Sequence, residues 1–531
     1  LRPYNPDCTI PNVENRINRA HEFLFMNQPL SDLATNSRIS RLATAAFLAL
    51  GLLVCGIAIS NQSFWIDECD TAYRAALPTL ADWWQYMRAT ADATLQVPLY
   101  MVFSWGWEKV SGLNEWALRA GNVPWFLLGF IVMVRALAIT PLLQRSMALV
   151  VLSCPFVWYY LNEARPYAMQ IGISLVVFAS LFRLALNQDE PARERLWVAG
   201  LCVGSLLLSA SGMLAMLWAG AYLGAAMLST PKGRLRELAR SYWPWWVSTG
   251  LLLFTVGLFY LWTLSIGACT ARLGGSDLRN VLFIAFELLG FSGLGPGRNA
   301  IRAGQLAAFL PWLSWLAIYG GVLLVVLAAG CRSIATSTSR RTRLCWALAF
   351  AVVLGFILGS GPLVGWRVLG RHCTPVLPLV LFVFGSGVAA LLRRRDWVGR
   401  LAVAAFLGLS LVSCLSLRFC ERHAKDDYRT AAVMARAALA QGKIVWWNAD
   451  PHAATIYQLP LGEKPEDAGK AVYVADPGRG FDRDLPKPDL VLTSKPDLYD
   501  RNGALADYLN RAGFRPTASV AAFTAWRVAG K

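Results

Sequence analysis

Pro98-Leu99-Tyr100-Met101-Val102-Phe103-Ser104-Trp105-Gly106-Trp107-Glu108-Lys109-Val110 is the stretch that decides how this chain is threaded. It is apolar, but it is shorter than the ~20 residues a helix needs to cross a bilayer. We read it as an interfacial or re-entrant helix. On that reading Arg38 and Arg41, which precede the first long apolar run, fall on one side of the membrane together with every later basic cluster. Those clusters are Arg135 with Arg145, Arg183 with Arg193 and Arg195, Lys232 with Arg234, Arg236 and Arg240, Arg332 with Arg340, Arg341 and Arg343, and Arg393 to Arg395 with Arg400. Counting 98–110 as a crossing would invert them all. Short cytoplasmic loops concentrate Lys and Arg, so the first reading is the consistent one.

The flanking composition is that of a membrane protein. The 531 residues are 56% hydrophobic and include 22 Trp, with a mean hydropathy of +0.43. Few soluble chains of this length are so apolar. The net charge of +17 is carried mainly by arginines placed between apolar runs. The positive-inside rule accounts for them, and no nucleic-acid-binding signature accompanies them. The first 40 residues are polar and lack the apolar core of a signal peptide. The 11 Cys show no metal-ligand spacing. Cys69, Cys269, Cys373 and Cys420 fall in or beside segments expected outside, where a disulfide could form, but buried free thiols are the favoured reading.

The expected fold is an all-α polytopic membrane domain with about eleven transmembrane helices plus interfacial helices, followed by a small extracytoplasmic α/β domain. The spans are placed at 42–60, 116–134, 146–161, 167–186, 196–211, 213–229, 245–265, 309–329, 344–360, 374–392 and 400–417. This makes 1–41 a cytoplasmic segment, 42–417 the membrane domain, and 418–531 the external domain. The first external loop is 61–115 and the long one is 266–308, with short external turns at 162–166 and 361–373. In the tail, Lys443–Trp447, Ala471–Ala475 and Asp489–Thr493 read as buried strands. Tyr428–Gln441 and Leu498–Ala512 read as helices, which suggests a mainly parallel sheet. Gly478-Arg479-Gly480 is only a turn, not a phosphate loop.

This threading gathers a selective set of charges on the external side. The first loop supplies Asp67, Glu68, Asp70, Asp82 and Asp92, and the turn at 162–166 supplies Glu163 and Arg165. The long loop adds Arg272, Arg279, Arg298 and Arg302, and the last turn adds Arg367, Arg371 and His372. A charge beside apolar spans is costly and points to function. Carboxylates can take a proton from an acceptor hydroxyl. Guanidinium groups can hold a phosphate bidentately. Together they suit group transfer from a lipid phosphate.

Several segments carry a family likeness. Ser63-Phe64-Trp65-Ile66-Asp67-Glu68, Pro98-Leu99-Tyr100, Asn114-Glu115-Trp116-Ala117-Leu118-Arg119, and Ser153-Cys154-Pro155-Phe156 through Glu163-Ala164-Arg165-Pro166-Tyr167 occur in a characteristic order. Gly370-Arg371-His372 with Pro375 and Pro378, and Lys425-Asp426-Asp427-Tyr428-Arg429, follow. In these segments the chain resembles the polytopic, lipid-phosphate-dependent glycosyltransferases of the C-type superfamily. Within it, the likeness is to bacterial relatives of protein O-mannosyltransferases and of lipid A aminoarabinose transferases.

The resemblance implies an inverting sugar transfer from a polyprenyl-phosphate donor at the external face of a bacterial cytoplasmic membrane. Asp67 is then the expected general base, with Glu68 or Glu163 orienting it. Arg165 and Arg371, with His372, are expected at the donor phosphate. Asp92, Tyr100 and Tyr167 are expected on the acceptor side. No metal and no cofactor are implied, although a divalent ion beside the phosphate is left open. The implied partners are the membrane lipid, the polyprenyl-phosphate donor, and a glycan, lipid or protein acceptor. The family's His before Pro-Pro-Leu-Tyr is replaced here by Thr94-Leu95-Gln96-Val97, and its Thr-His pair by Ser209-Ala210-Ser211. These departures support an alternative reading, a non-catalytic accessory subunit that keeps the fold. A transporter is disfavoured, because the spans are nearly free of charge and no internal repeat is visible.

Overall fold

The computed structural model describes residues 33–186, 190–267, 277–462, 469–474 and 485–528. The expected cytoplasmic segment up to residue 32, Cys269, Arg272 and the turn at 478–480 lie outside the described residues.

Helices lie over all eleven expected apolar segments. Among the described residues seven helices are long and apolar enough to cross a membrane, or eight if a bent pair counts as one span. The protein is therefore an integral membrane protein. Its outer helices bear this out physically: Trp243–Ser265 exposes Leu251, Phe254 and Leu261, and Arg340–Val364 exposes Leu348, Val352 and Phe356. Such faces have no aqueous rationale and suit a hydrocarbon solvent.

The inner helices approach closely through glycine. An added methyl at Gly129 would collide with the backbone of Gly172, and one at Gly172 would collide with the carbonyl of Trp125. The same reciprocity joins Gly330 to Val383 and Gly387 to Val326. Thus Asn122–Ala136 touches Tyr167–Leu186, and Leu313–Ser337 touches Leu377–Arg393, backbone to backbone. Without a hydrophobic drive in lipid, such close packing is a main source of helix association.

Several expected spans are modified, among them the following two. The segment 146–161 is not one helix but Pro141–Leu152 followed by Pro155–Leu161, bent by 52°. Pro155 has no N–H to continue the first helix, so it begins a new one. The segment 374–392 is preceded by a 3-10 turn, Gly370–Val376, that leads into Leu377–Arg393. Trp218 Nε1 donates to the His372 carbonyl (3.0 Å) and the Tyr222 hydroxyl to the Pro375 carbonyl (2.7 Å), which fixes this turn.

The first loop folds into Ile66–Ala75, Leu80–Thr90, the 3-10 turn Ala93–Gln96, and Pro98–Ser111. Thr79 and Asp82 form a reciprocal cap on the second of these helices. Pro98–Ser111, 14 residues long, packs against the pieces on either side of it in the chain: Lys109 Nζ donates to the Ala75 carbonyl (3.1 Å) and Trp107 Nε1 to the Ala117 carbonyl (2.8 Å).

Among the described residues the tail carries a six-stranded sheet in the order β2-β3-β1-β4-β6-β5. The strands are β1 (Val445–Asn448), β2 (Leu461–Gly462), β3 (Ala471–Tyr473), β4 (Leu490–Ser494), β5 (Phe514–Val520) and β6 (Phe523–Val528). β2, β3, β1 and β4 are parallel, and β6 runs antiparallel to β4 and β5. The three strands read from sequence are present. The expected helix over 498–512 is two pieces, Pro496–Tyr499 and Ala504–Arg511, and the β5–β6 hairpin adds strands that the sequence reading did not contain. The tail also shares one core with the first loop and the turn at 162–166: Phe64, Cys69, Ala72 and Ala164 pack with Tyr428, Ala432, Trp447 and Phe523. Cys69 and Cys373 are buried free thiols, and Cys420 is free as well.

Candidate active site

Asp67 and Glu68 sit in the first turn of Ile66–Ala75, where the unpaired backbone N–H groups favour negative charge. Helical spacing points the two neighbouring carboxylates in different directions, and the fold treats them differently.

Glu68 is fully buried. Its Oε1 accepts from Arg119 Nε (2.8 Å) and the Ala164 N–H (2.7 Å). Its Oε2 accepts from Arg119 Nη2 (2.7 Å), Lys425 Nζ (2.9 Å) and the Trp65 N–H (3.3 Å). Burial pushes its carboxyl up, but Arg119, Lys425 and the Ala164 N–H outweigh it and bring it to about 2. Arg119, also fully buried, spends its remaining donors on the carbonyls of Ser60, Gln62 and Ser63. Lys425 also donates to the Asn162 carbonyl. One carboxylate thus ties together the first loop, the helix Glu115–Ala120, the turn at 162–166 and the start of the tail.

Asp67 is turned the other way and keeps its side chain 28% exposed. Its Oδ2 accepts from Arg371 Nη1 at 2.9 Å. Arg165 Nη1 donates to the Asp67 carbonyl and to Thr71 Oγ1, both at 3.1 Å. Arg371 lies over the Tyr167 ring, 5.8 Å from its centre. Burial pushes the Asp67 carboxyl up, and Arg371, Arg165 and Lys495 more than offset this, holding it below the ordinary carboxylate range. The Nε groups of Arg165 and Arg371 are both buried and meet no acceptor among the described residues. A buried charged donor without an acceptor costs free energy that an anionic oxygen would recover.

Glu163 is buried beside this cluster, and its Oε1 has no partner among the described residues. Burial raises its carboxyl, and Lys425 and Arg298 only partly oppose that. Its backbone carbonyl accepts from Asn122 Nδ2 (2.6 Å), which shapes the turn. The Arg165 N–H reaches the Glu163 carbonyl (2.8 Å), but no side-chain pair forms between these two residues. Tyr100 is buried within the fields of Arg165, Glu68 and Glu163, and burial keeps its phenol protonated.

Two expected residues have other partners. The His372 Nδ1 accepts from the Leu369 N–H (3.1 Å), and its ring rests against Trp366 at 5.2 Å. It caps the 370–376 turn, and of these two neighbours it is Arg371 that reaches Asp67. Asp92 is drawn into a second network. It caps Ala93–Gln96 and pairs with Arg74, which also holds Asp70; His452 of the tail faces Asp70 and bonds the Tyr86 hydroxyl (2.9 Å).

Arg119, Lys425 and Glu287 were not among the expected site residues. Glu287 is buried, bonds Arg298 Nη2 at 2.6 Å, and lies so close to Gly370 that any side chain there would collide with its carboxylate. Arg298 in turn stacks over Tyr159 at 4.1 Å. A lone carboxylate in the apolar run Val281–Leu289 was the available signal. Among the described residues no group of three or more His, Cys, Asp or Glu side chains is arranged to hold a metal ion.

No protein-family model and no curated protein matches the sequence. Solved structures do match. ArnT from Cupriavidus metallidurans in the apo state aligns over 91% of this chain and 97% of its own, with a TM-score of 0.52 at 14% identity. ArnT bound to undecaprenyl phosphate aligns over 92% and 98%, with a TM-score of 0.48 at 13% identity. The mycobacterial arabinofuranosyltransferase AftD aligns over 92% of this chain and 40% of its own, with a TM-score of 0.45 at 12% identity. The first of these likenesses carries the fold assignment, and it does so over nearly the whole of both chains. That likeness shows the fold: over nearly the whole of both chains this protein is built like ArnT, and it carries the Asp67-Glu68, Glu163-Ala164-Arg165 and Arg371 segments within that architecture.

Proposed function

We propose that the protein transfers a sugar from a polyprenyl-phosphate donor to an acceptor at the external face of a bacterial cytoplasmic membrane, with inversion at the sugar carbon. The observation that carries this reading is the pairing of a partly exposed Asp67 with Arg371 and Arg165, whose buried Nε groups await an anion. ArnT, whose fold this chain shares, binds undecaprenyl phosphate, an anion of the kind this cluster suits.

In the proposed step the donor phosphate binds Arg165 and Arg371. Drawing Arg371 onto the phosphate loosens its hold on Asp67, and the carboxylate becomes more basic. Asp67 takes the proton of the acceptor hydroxyl, the acceptor oxygen bonds to the sugar carbon, and the bond from that carbon to the phosphate oxygen breaks. The lipid phosphate leaves with the electron pair, stabilised by the two guanidinium groups. Glu68 acts as a positioning residue, holding the Asp67 turn against the 162–166 turn. Glu163, whose carboxyl burial raises, lies beside the cluster with one unpartnered oxygen available to the bound donor. Tyr100 and Tyr167 wall the site, and Asp92 is not required by it. The N-terminus and the arginine clusters lie in the cytoplasm and the tail lies outside.

The test is sugar transfer in membranes by Asp67→Asn. Loss of transfer with the donor lipid still bound is expected. Unchanged transfer would remove Asp67 as base and leave the accessory-subunit reading in its place.

A further inference from the structure

A second basic feature lies apart from the Asp67 cluster, where the last apolar helix meets the first. A cavity of about 370 Å³ opens between the exit of the first helix and the start of the tail, lined in part by Asn61, Gln62, Arg418, Lys425, Asp427 and Arg429. It shares no residue with the Asp67–Arg165–Arg371 cluster.

Arg418 is the key side chain. Its Nε donates to the Ile57 carbonyl at 2.8 Å, and its guanidinium rests 4.8 Å from the centre of the Phe419 ring. These contacts fix the group while its two terminal nitrogens meet no acceptor among the described residues. The result is an oriented two-pronged donor, the geometry that matches phosphate oxygens. Arg429 adds positive charge; it bonds the Asn61 carbonyl (2.7 Å) and lies 3.4 Å from Glu115. Lys425 is committed to Glu68. The one carboxylate in this lining, Asp427, is spent on capping the Thr430 N–H (3.0 Å) and hydroxyl (2.7 Å). The lining itself thus carries three cationic side chains and one carboxylate, and of the cations Arg418 has no carboxylate partner among the described residues.

Directly beneath it the surface is apolar. Leu53 lies one helical turn below Ile57 and Leu50 two turns below; Leu415 and Leu411 lie likewise below Arg418. All four leucines are exposed, as is Phe419. The Arg418–Ile57 bond ties the two helices together at the basic cavity, and each of them carries its exposed leucines on the turns below that bond. A phosphate site at the head of an apolar track has the polarity of one class of ligand, an amphiphile with an anionic head.

We propose that this cavity binds the phosphate of a membrane lipid, with the Arg418 fork on two phosphate oxygens and the hydrocarbon along Leu50, Leu53, Leu411 and Leu415. The proposal rests on embedding in a membrane and not on sugar transfer. The phosphate can be the diester of a bulk anionic glycerophospholipid or the monoester of a polyprenyl chain, and the two are separable by experiment.

Full-length protein is purified in detergent and supplied in turn with phosphatidylglycerol, undecaprenyl phosphate and phosphatidylcholine, and retained lipid is counted by native mass spectrometry. The wild type should retain an anionic lipid that Arg418→Gln loses by about tenfold or more, as expected for removal of a charge-assisted bidentate contact. Arg418→Lys, which keeps the charge but not the fork, should fall between. Dependence of phosphatidylglycerol on Arg418 identifies the bulk lipid; dependence of undecaprenyl phosphate alone identifies the polyprenyl chain. Retention of both lipids unaffected by Arg418→Gln overturns the proposal. Should that variant not fold, Gln62→Cys in the otherwise native chain gives a second measurement. Its maleimide labelling, read by peptide mass, should slow with the anionic lipid and not with phosphatidylcholine. Equal rates would overturn the proposal.

Discussion

Asp67 and Glu68 are neighbours in the chain, and the fold sends them to opposite kinds of place. Glu68 receives five hydrogen bonds, has no exposed surface and joins four separate segments. Asp67 receives one side-chain bond and stays partly open, beside guanidinium groups that still have donors to give. A saturated carboxylate can only hold structure. An unsaturated one, poised against cations that a substrate can claim, can change partners and so take part in chemistry. The two charged regions thus read as a lock and a site, built from adjacent residues.

The comparison can be broken most directly at Asp67. Asp67→Asn should lower sugar transfer by about 10²–10⁴-fold, the range of a positioned general base, with the thermal unfolding midpoint little changed. A variant that unfolds instead would mean that Asp67 is part of the lock. Glu68→Gln should show the opposite pattern. It leaves Arg119 and Lys425 buried without their counter-charge, a loss of about 3–5 kcal/mol, seen as a large drop in the unfolding midpoint or in the yield of folded protein. Arg371→Ala should weaken donor-lipid binding by about 10–100-fold, the worth of a charged hydrogen bond, in a lipid-retention assay; it should also move the acid limb of the pH–rate profile up, because Asp67 loses the cation that holds its carboxyl down.

Acid sharpens the contrast further. The Glu68 carboxyl falls to about 2 in the folded protein, against about 4.3 when unfolded. Its stabilisation is complete above the unfolded value and is lost as pH falls through that window towards the folded one. The wild type should lose stability over that range on acid titration, and Glu68→Gln should lack this part of the slope. Asp92→Asn should have the smallest effect, leaving transfer close to wild type, because Asp92 is engaged with Arg74. A large loss would place it in the site after all.

Much of this was legible without coordinates, and the reasons are physical. A span is a local property, a long run with no charge, so the helical segments, the short helix at 98–111 among them, could be read from composition. The strands of the parallel half of the sheet are buried on both faces and appear as short apolar runs. The β5–β6 hairpin was missed because β5 is exposed along most of its length and carries Arg515, Pro516 and Thr517. The break at Pro155 was missed because an apolar run conceals a bend.

At the site the division is sharper. The sequence by itself determined that Asp67, Glu68, Glu163 and Arg165 stand beside apolar spans, where an ionisable group is too costly to be idle. Only the tertiary structure decided which carboxylate is locked and which is free. Glu68 meets Arg119 and Lys425 across 51 and 357 positions of the chain, and Asp67 meets Arg371 across 304. Charge is written residue by residue, but its solvation and its partners depend on everything brought within a few ångströms by packing, and that is a property of the whole fold.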